Sequence, residues 1–161
     1  AYRLWEGDNG DIYPMGISIT NGGSMEMVQM GNVALTFQVM SNELSTPKIL
    51  LCPNDASRVF ATMFAGLANS NISYFVGVDV TNDMNPLLII SGDSNLQIGR
   101  KTAKSGLLSV WTNDPVTWDP TRHAHYGNIG LADGSVQSVT DPRFKDCLTQ
   151  TGIATNRFAI P

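Results

Sequence analysis

The stretch NIGLADGSVQSV, residues 128–139, decides the architecture of this chain. It holds two segments of alternating character joined by Asp133-Gly134. That dipeptide is favoured at the centre of a two-residue hairpin turn, where both positions take positive φ. Two antiparallel strands in immediate succession follow from it. Strands that adjoin without an intervening helix argue for an α+β chain rather than repeated strand–helix–strand units.

Downstream, Asp141-Pro142 supplies an N-cap and a proline at the first helical position, which predicts a helix to about Gly152. The tail NRFAIP, residues 156–161, reads as a final strand or a docked extension. Upstream, ISYFVGVDV (72–80) is rich in β-branched and aromatic residues, PLLIISGD (86–93) follows an Asn/Asp turn and pairs with it, and GLLSVW (106–111) is a further strand. DPVTWDP (114–120) is a proline-punctuated loop. In VALTFQVMSNEL (33–44), Val33, Phe37, Met40 and Leu44 recur at helical spacing, which predicts one amphipathic helix ending before Pro47 and covering a sheet face. KILLC (48–52) reads as a short buried strand stopped by Pro53, and ATMFAGLA (61–68) as a short helix.

The opening AYRLWEGDNGDIYP (1–14) places Ala1, Leu4 and Trp5 on one helical face, with no Ser, Thr, Asp or Asn ahead of them to start a helix. It reads as the last turns of a helix, closed by Gly7 in the left-handed conformation.

With 161 residues the chain is expected to form a single domain over 1–161 and to bury a core without metals or many disulfides. Only 15% of residues are charged, below the usual figure of about 25%, and Asn, Ser and Thr supply the polarity, a mix that suits a loop-rich, exported or surface-exposed protein. The net charge of −4 leaves no basic face for phosphates, so nucleic acid is not a partner. No apolar run reaches the roughly 18–20 residues that cross a bilayer.

Few residues point to chemistry. Cys52 and Cys147 permit a disulfide, worth about 4 kcal/mol for so long a loop, or are two buried thiols. His123 and His125, two apart, are metal-ligand candidates with Asp133 across the hairpin, but the turn already accounts for Asp133. Asp79, Asp83 and Asp93 stand near strand ends among asparagines and are calcium candidates, although their spacing is not that of an EF-hand loop and turn formation explains them equally. Asn71-Ile72-Ser73 fits the N-glycosylation pattern, and Trp5, Trp111 and Trp118 are either a ligand platform or core. There is no nucleophile elbow and no phosphate-binding glycine loop. No catalytic group, resident metal or cofactor is assigned.

HAHYGNIGLADGS (123–135) sets His123 ahead of Asp133-Gly134 with nine residues between. This resembles the H-x9-DG signature of bacterial prepilin-like proteins, relatives of type IV pilins and type II secretion pseudopilins. YRLWEGDNGDIYP, STPKILLCPND, FQVMSNEL, SYFVGVD, SGDSNL and TNRFAIP are similar to further stretches of that group, in the same order along nearly the whole chain. The resemblance implies a pilin-like α+β fold: the C-terminal stub of a long N-terminal helix, carrying Ala1, Leu4 and Trp5, packed on an antiparallel sheet with short additional helices. It implies a non-catalytic structural subunit of a pilus-like filament or secretion pseudopilus. Its partners would be other subunits, the assembly or secretion machinery, and the membrane through an apolar helix that this sequence lacks. Such a protein is exported, and is either anchored in the inner membrane facing the periplasm or built into an extracellular filament. His123, Asp133 and Gly134 would be structural, with His123 tying the preceding loop to the turn, and a structural calcium is known in some major pseudopilins. The rivals are an extracellular binding or adhesion module using loops 114–122 or 82–86, and a hydrolase using His123 or His125.

Overall fold

In the computed structural model, which describes residues 1–161, the first third of the chain carries four short helices: α1 (Tyr2–Asp8), α2 (Met25–Gln29), α3 (Ala34–Val39) and α4 (Ser41–Leu44). Strands follow as β1 (Tyr74–Gly77), β2 (Ile89–Asp93), β3 (Leu96–Ile98), β4 (Lys101–Thr102), β5 (Gly106–Trp111) and β6 (Val116–Trp118). The chain then runs through α5 (Pro120–His123), β7 (Tyr126–Leu131), β8 (Val136–Thr140), α6 (Asp141–Gln150) and β9 (Thr155–Ile160). Six strands form one sheet in the order β5-β9-β1-β2-β7-β8, antiparallel throughout, and β4-β3-β6 form a second, smaller one. This is an α+β fold.

Strand alternation sends neighbouring side chains to opposite faces of the large sheet. Val76, Ile90 and Ala159 join Trp5, Tyr13, Phe37 and Met40 in a core under the early helices. Phe75, Ile89 and Phe158 join Trp118, Phe144 and Leu148 in a second core under α6 and the small sheet. There Trp118 stacks on Phe144 with ring centroids 4.6 Å apart, a contact worth about 0.5–1.5 kcal/mol beyond its buried area.

The predicted hairpin forms, but its loop has three residues instead of two. Leu131 N donates to Ser135 O and Gly134 N to Leu131 O, so the loop is residues 132–134, with Gly134 alone at positive φ (+88°). A type I turn followed by a left-handed glycine gives this geometry. The added residue is Ala132, which is fully buried: its carbonyl accepts from the Tyr13 hydroxyl at 2.6 Å and its N–H donates to Leu88 O.

Several other expectations change. The helix over 33–44 is broken at Met40 (φ −92°, ψ 21°) and stops at Ser45 (φ 62°). KILLC is not a strand: Pro47–Leu50 form a 3-10 turn, with the Thr46 hydroxyl accepting from Lys48 N. ATMFAGLA is helical only as a 3-10 turn at Phe64–Gly66. The loop 114–120 contains β6, and Asp119 caps α5 by accepting from Thr121 N at 2.9 Å. Thr140, not Asp141, is the N-cap of α6, because Asp141 turns its carboxylate to Trp118 N at 2.7 Å.

The opening is helical, but its buried face differs from the expected one. Trp5 and Glu6 are buried with Tyr2 half-buried, while Ala1 and Leu4 are exposed. Gly7 lies inside α1, and the left-handed residues are Gly10 and Asp11 (φ 71° and 59°).

Candidate functional site

Three segments far apart in sequence meet at one corner of the large sheet. Asp93 ends β2 and is almost wholly buried, its Oδ2 accepting from Asn128 N at 2.7 Å and Asn128 Nδ2 at 3.0 Å. Cys52 follows the 3-10 turn at Pro47–Leu50 and is buried, its N–H donating to Ser73 Oγ at 3.0 Å. His123 is the last residue of α5. The next two residues, Ala124 and His125, take left-handed φ (49° and 68°) and swing the chain into β7. That bend leaves His123 facing the sheet, its side chain 23% exposed, and turns His125 outward, its side chain 64% exposed.

The Cys52 Sγ lies 3.3 Å from His123 Nε2, Asp93 Oδ2 lies 3.8 Å from the same nitrogen, and the three ligand atoms all fall within 4.8 Å of one another. Both partners therefore crowd one ring nitrogen. In a nucleophile–histidine–acid relay the nucleophile meets one nitrogen and the carboxylate orients the imidazole through the other. Here the atoms instead converge on a single point.

A charged network borders this corner. Asp55, buried, accepts from Arg122 at 2.5 Å, from Ser73 Oγ at 2.8 Å and from Ser57, with Arg58 Nε at 3.3 Å. Burial alone would raise the Asp55 carboxyl, but hydrogen bonds from Ser57 and Ser73 and the charge of Arg122 outweigh it and hold the group below the usual carboxylate range. Tyr74, paired with Asp93 across β1 and β2, has its phenol pushed up to about 12, by burial first and with a contribution from the nearby Asp93 carboxylate. Tyr74 and Asn128 also line a groove of about 480 Å³ between α1 and the sheet, with Tyr2, Ile90 and Val136 along it.

The other sequence candidates do not assemble. Asp79 binds Arg157, Asp83 binds Arg3 at 2.5 Å, and Asp93 sits in the corner just described, so the three calcium candidates occupy three separate places. His125 faces Asp141 at 3.6 Å rather than His123's partners. Asp133 is spent on the turn, accepting from Ser135 N at 2.8 Å, and with Gly134 it lies beside Arg3. The expected tie from His123 to that turn does not exist, since the two sit at opposite ends of β7.

Cys52 and Cys147 are both free thiols; Cys147 packs in the core under α6, where burial pushes its thiol up. Trp5 and Trp118 are buried in different cores and Trp111 is exposed, so they form no platform. Asn71 uses its amide on Val59 O and Ala68 N, beside a fully buried Ser73. Sequence reasoning named Cys52 with Cys147, Asp93 with Asp79 and Asp83, and His123 with His125 and Asp133, but no spacing in the chain relates Cys52, Asp93 and His123 to one another. Compared with known proteins, the chain matches no protein-family model, no curated protein and no solved structure.

Proposed function

We propose that this chain is the globular head of a non-catalytic, pilin-like subunit that builds a pilus-like filament or secretion pseudopilus. The observation that carries the reading is the way α1 is held. Its seven residues are too few for a stable free helix, and it stays folded because Trp5 and Glu6 are buried against the domain. Its other side keeps Leu4 66% exposed, an apolar residue presented outward from a rigidly docked helix. A helix with one face on its own domain and an apolar residue on the other suits packing against copies of itself, the repeated contact a filament needs. The converging geometry of Cys52, Asp93 and His123, which lacks the layout of a catalytic relay, agrees with a structural role. On this reading the protein is exported, held at the inner membrane facing the periplasm before assembly, and partnered by other subunits and the assembly machinery.

Leu4→Asp separates assembly from folding. Being exposed, the substitution leaves stability within about 0.5 kcal/mol, while filaments sheared from cells that carry the full-length gene lose the subunit. Native protein recovered only as an exported soluble monomer, or filaments that take up the Leu4→Asp variant as readily as the parent, would overturn the proposal.

A further inference from the structure

We propose that Cys52, Asp93 and His123 form a binding site for one divalent transition-metal ion, with zinc the best match. A tetrahedral ion with bonds of about 2.0–2.3 Å holds its ligand atoms roughly 3.3–3.7 Å apart. The separations are 3.3 Å from sulfur to nitrogen and 3.8 Å from nitrogen to oxygen, with sulfur and oxygen within 4.8 Å of each other, so small side-chain shifts bring the three groups to that range. One thiolate, one imidazole and one carboxylate suit zinc or cobalt; calcium and magnesium take oxygen ligands, and copper(I) prefers softer sets.

The surroundings are those of a held site. Asn128 N and Nδ2 both donate to Asp93 Oδ2 and so fix the plane of that carboxylate, and Ser73 fixes the backbone of Cys52, so two of the three ligands are oriented by groups outside the cluster. The side chain of His123 reaches solvent, from which water would supply the fourth ligand. Arg122, one residue from His123, shares the single charge of Asp55 with Arg58, so one positive charge stays near the site, and it is the Asp93 carboxylate together with the Cys52 sulfur, once deprotonated by the ion, that favours a cation between them.

Binding is a simple exchange. The Cys52 S–H bond breaks as the sulfur–metal bond forms, the proton goes to solvent, and nothing is oxidised or reduced. The ion joins the turn before Cys52, the end of β2 and the end of α5, and so clips the first half of the chain to the sheet. This site stands whether or not the chain assembles into filaments.

Cobalt(II) is the probe. The chain is stripped with chelator under reducing conditions and titrated with cobalt chloride. The expected result is stoichiometric uptake with a thiolate-to-cobalt charge-transfer band and the intense visible bands of a tetrahedral site, both bleached by zinc. Cys52→Ser loses the charge-transfer band and Cys147→Ser keeps it. His123→Gln, a change at a partly exposed side chain that leaves the fold intact by circular dichroism, weakens binding by at least about tenfold. Zinc raises the melting temperature of the parent and not that of Cys52→Ser. A folded parent that shows no thiolate band, a band that survives Cys52→Ser, or a His123→Gln variant that binds as tightly as the parent would overturn the site and reduce the Cys52–His123 contact to a hydrogen bond.

Discussion

Asp55 shows most directly how a single side chain holds distant segments together. Its buried carboxylate collects Arg122 from α5, Arg58 and Ser57 from its own loop, and Ser73 from the start of the sheet. Removing one partner of a buried ion pair leaves the other charge uncompensated, so Asp55→Asn is expected to cost about 3 kcal/mol at neutral pH, read from denaturant melts. The pH dependence has a definite sign. The folded-state pKa of Asp55 is lowered, so its contribution is complete above the unfolded carboxylate value of about 4 and fades as pH falls through the lower folded value. The parent is therefore expected to lose more stability than Asp55→Asn between neutral pH and about pH 3. At this scale the sequence named His123 and Cys52 as residues of interest, but it set His123 beside His125 and Asp133 as a metal-ligand candidate and Cys52 beside Cys147 as a disulfide or a pair of buried thiols. Imidazole and thiol are chemically legible in a sequence; their neighbours are not.

Among the elements, the main strands and the hairpin were read from local chemistry, while KILLC, the cap of α6 and the end of α1 were not. The strands at Tyr74–Gly77, Ile89–Asp93 and Gly106–Trp111 follow from β-branched runs bounded by turn residues. The hairpin was legible from Asp133-Gly134, yet the burial of Ala132 lengthened its loop. A pair of glycines tests this distinction. Gly134 holds φ +88°, and a Cβ there would lie 3.2 Å from Arg3 Cγ, so Gly134→Val should cost on the order of 1–3 kcal/mol. Gly7, expected to close α1 but found inside it with open space around its Cα, should instead gain about 0.5–1 kcal/mol on Gly7→Ala. Urea midpoints moving in opposite directions would establish both assignments, and a destabilising Gly7→Ala would mean that α1 ends earlier. The broken helix at Met40 was not legible, because the hydrophobic spacing of residues 33–44 is intact through the break.

For the molecule as a whole, the decisive element is β9. It lies between β5 and β1, pairing residues 155–160 along the whole of β5, and it gives Phe158 to one core and Ala159 to the other. The carbonyl of Pro161 just beyond it accepts from Arg58 at 2.9 Å. Deleting residues 155–161 is thus expected to remove the sheet's interior and not merely an edge. The shortened chain should show no cooperative thermal transition by circular dichroism; a transition near that of the parent would mean that the remaining strands close up without it. The tail was legible as strand-forming, while its central place in the sheet was not.

The sequence by itself determined the α+β class, the positions of the main strands, the tight hairpin around Asp133-Gly134 and the lack of a basic face. Each of these rests on residue type, on alternation or on turn chemistry acting over a few neighbouring positions. Only the tertiary structure decided the strand order, which face of α1 is buried, and the meeting of Cys52, Asp93 and His123. Those outcomes depend on contacts between segments tens of residues apart, where the burial of one segment sets the surroundings of another, and no local spacing along the chain encodes such a contact.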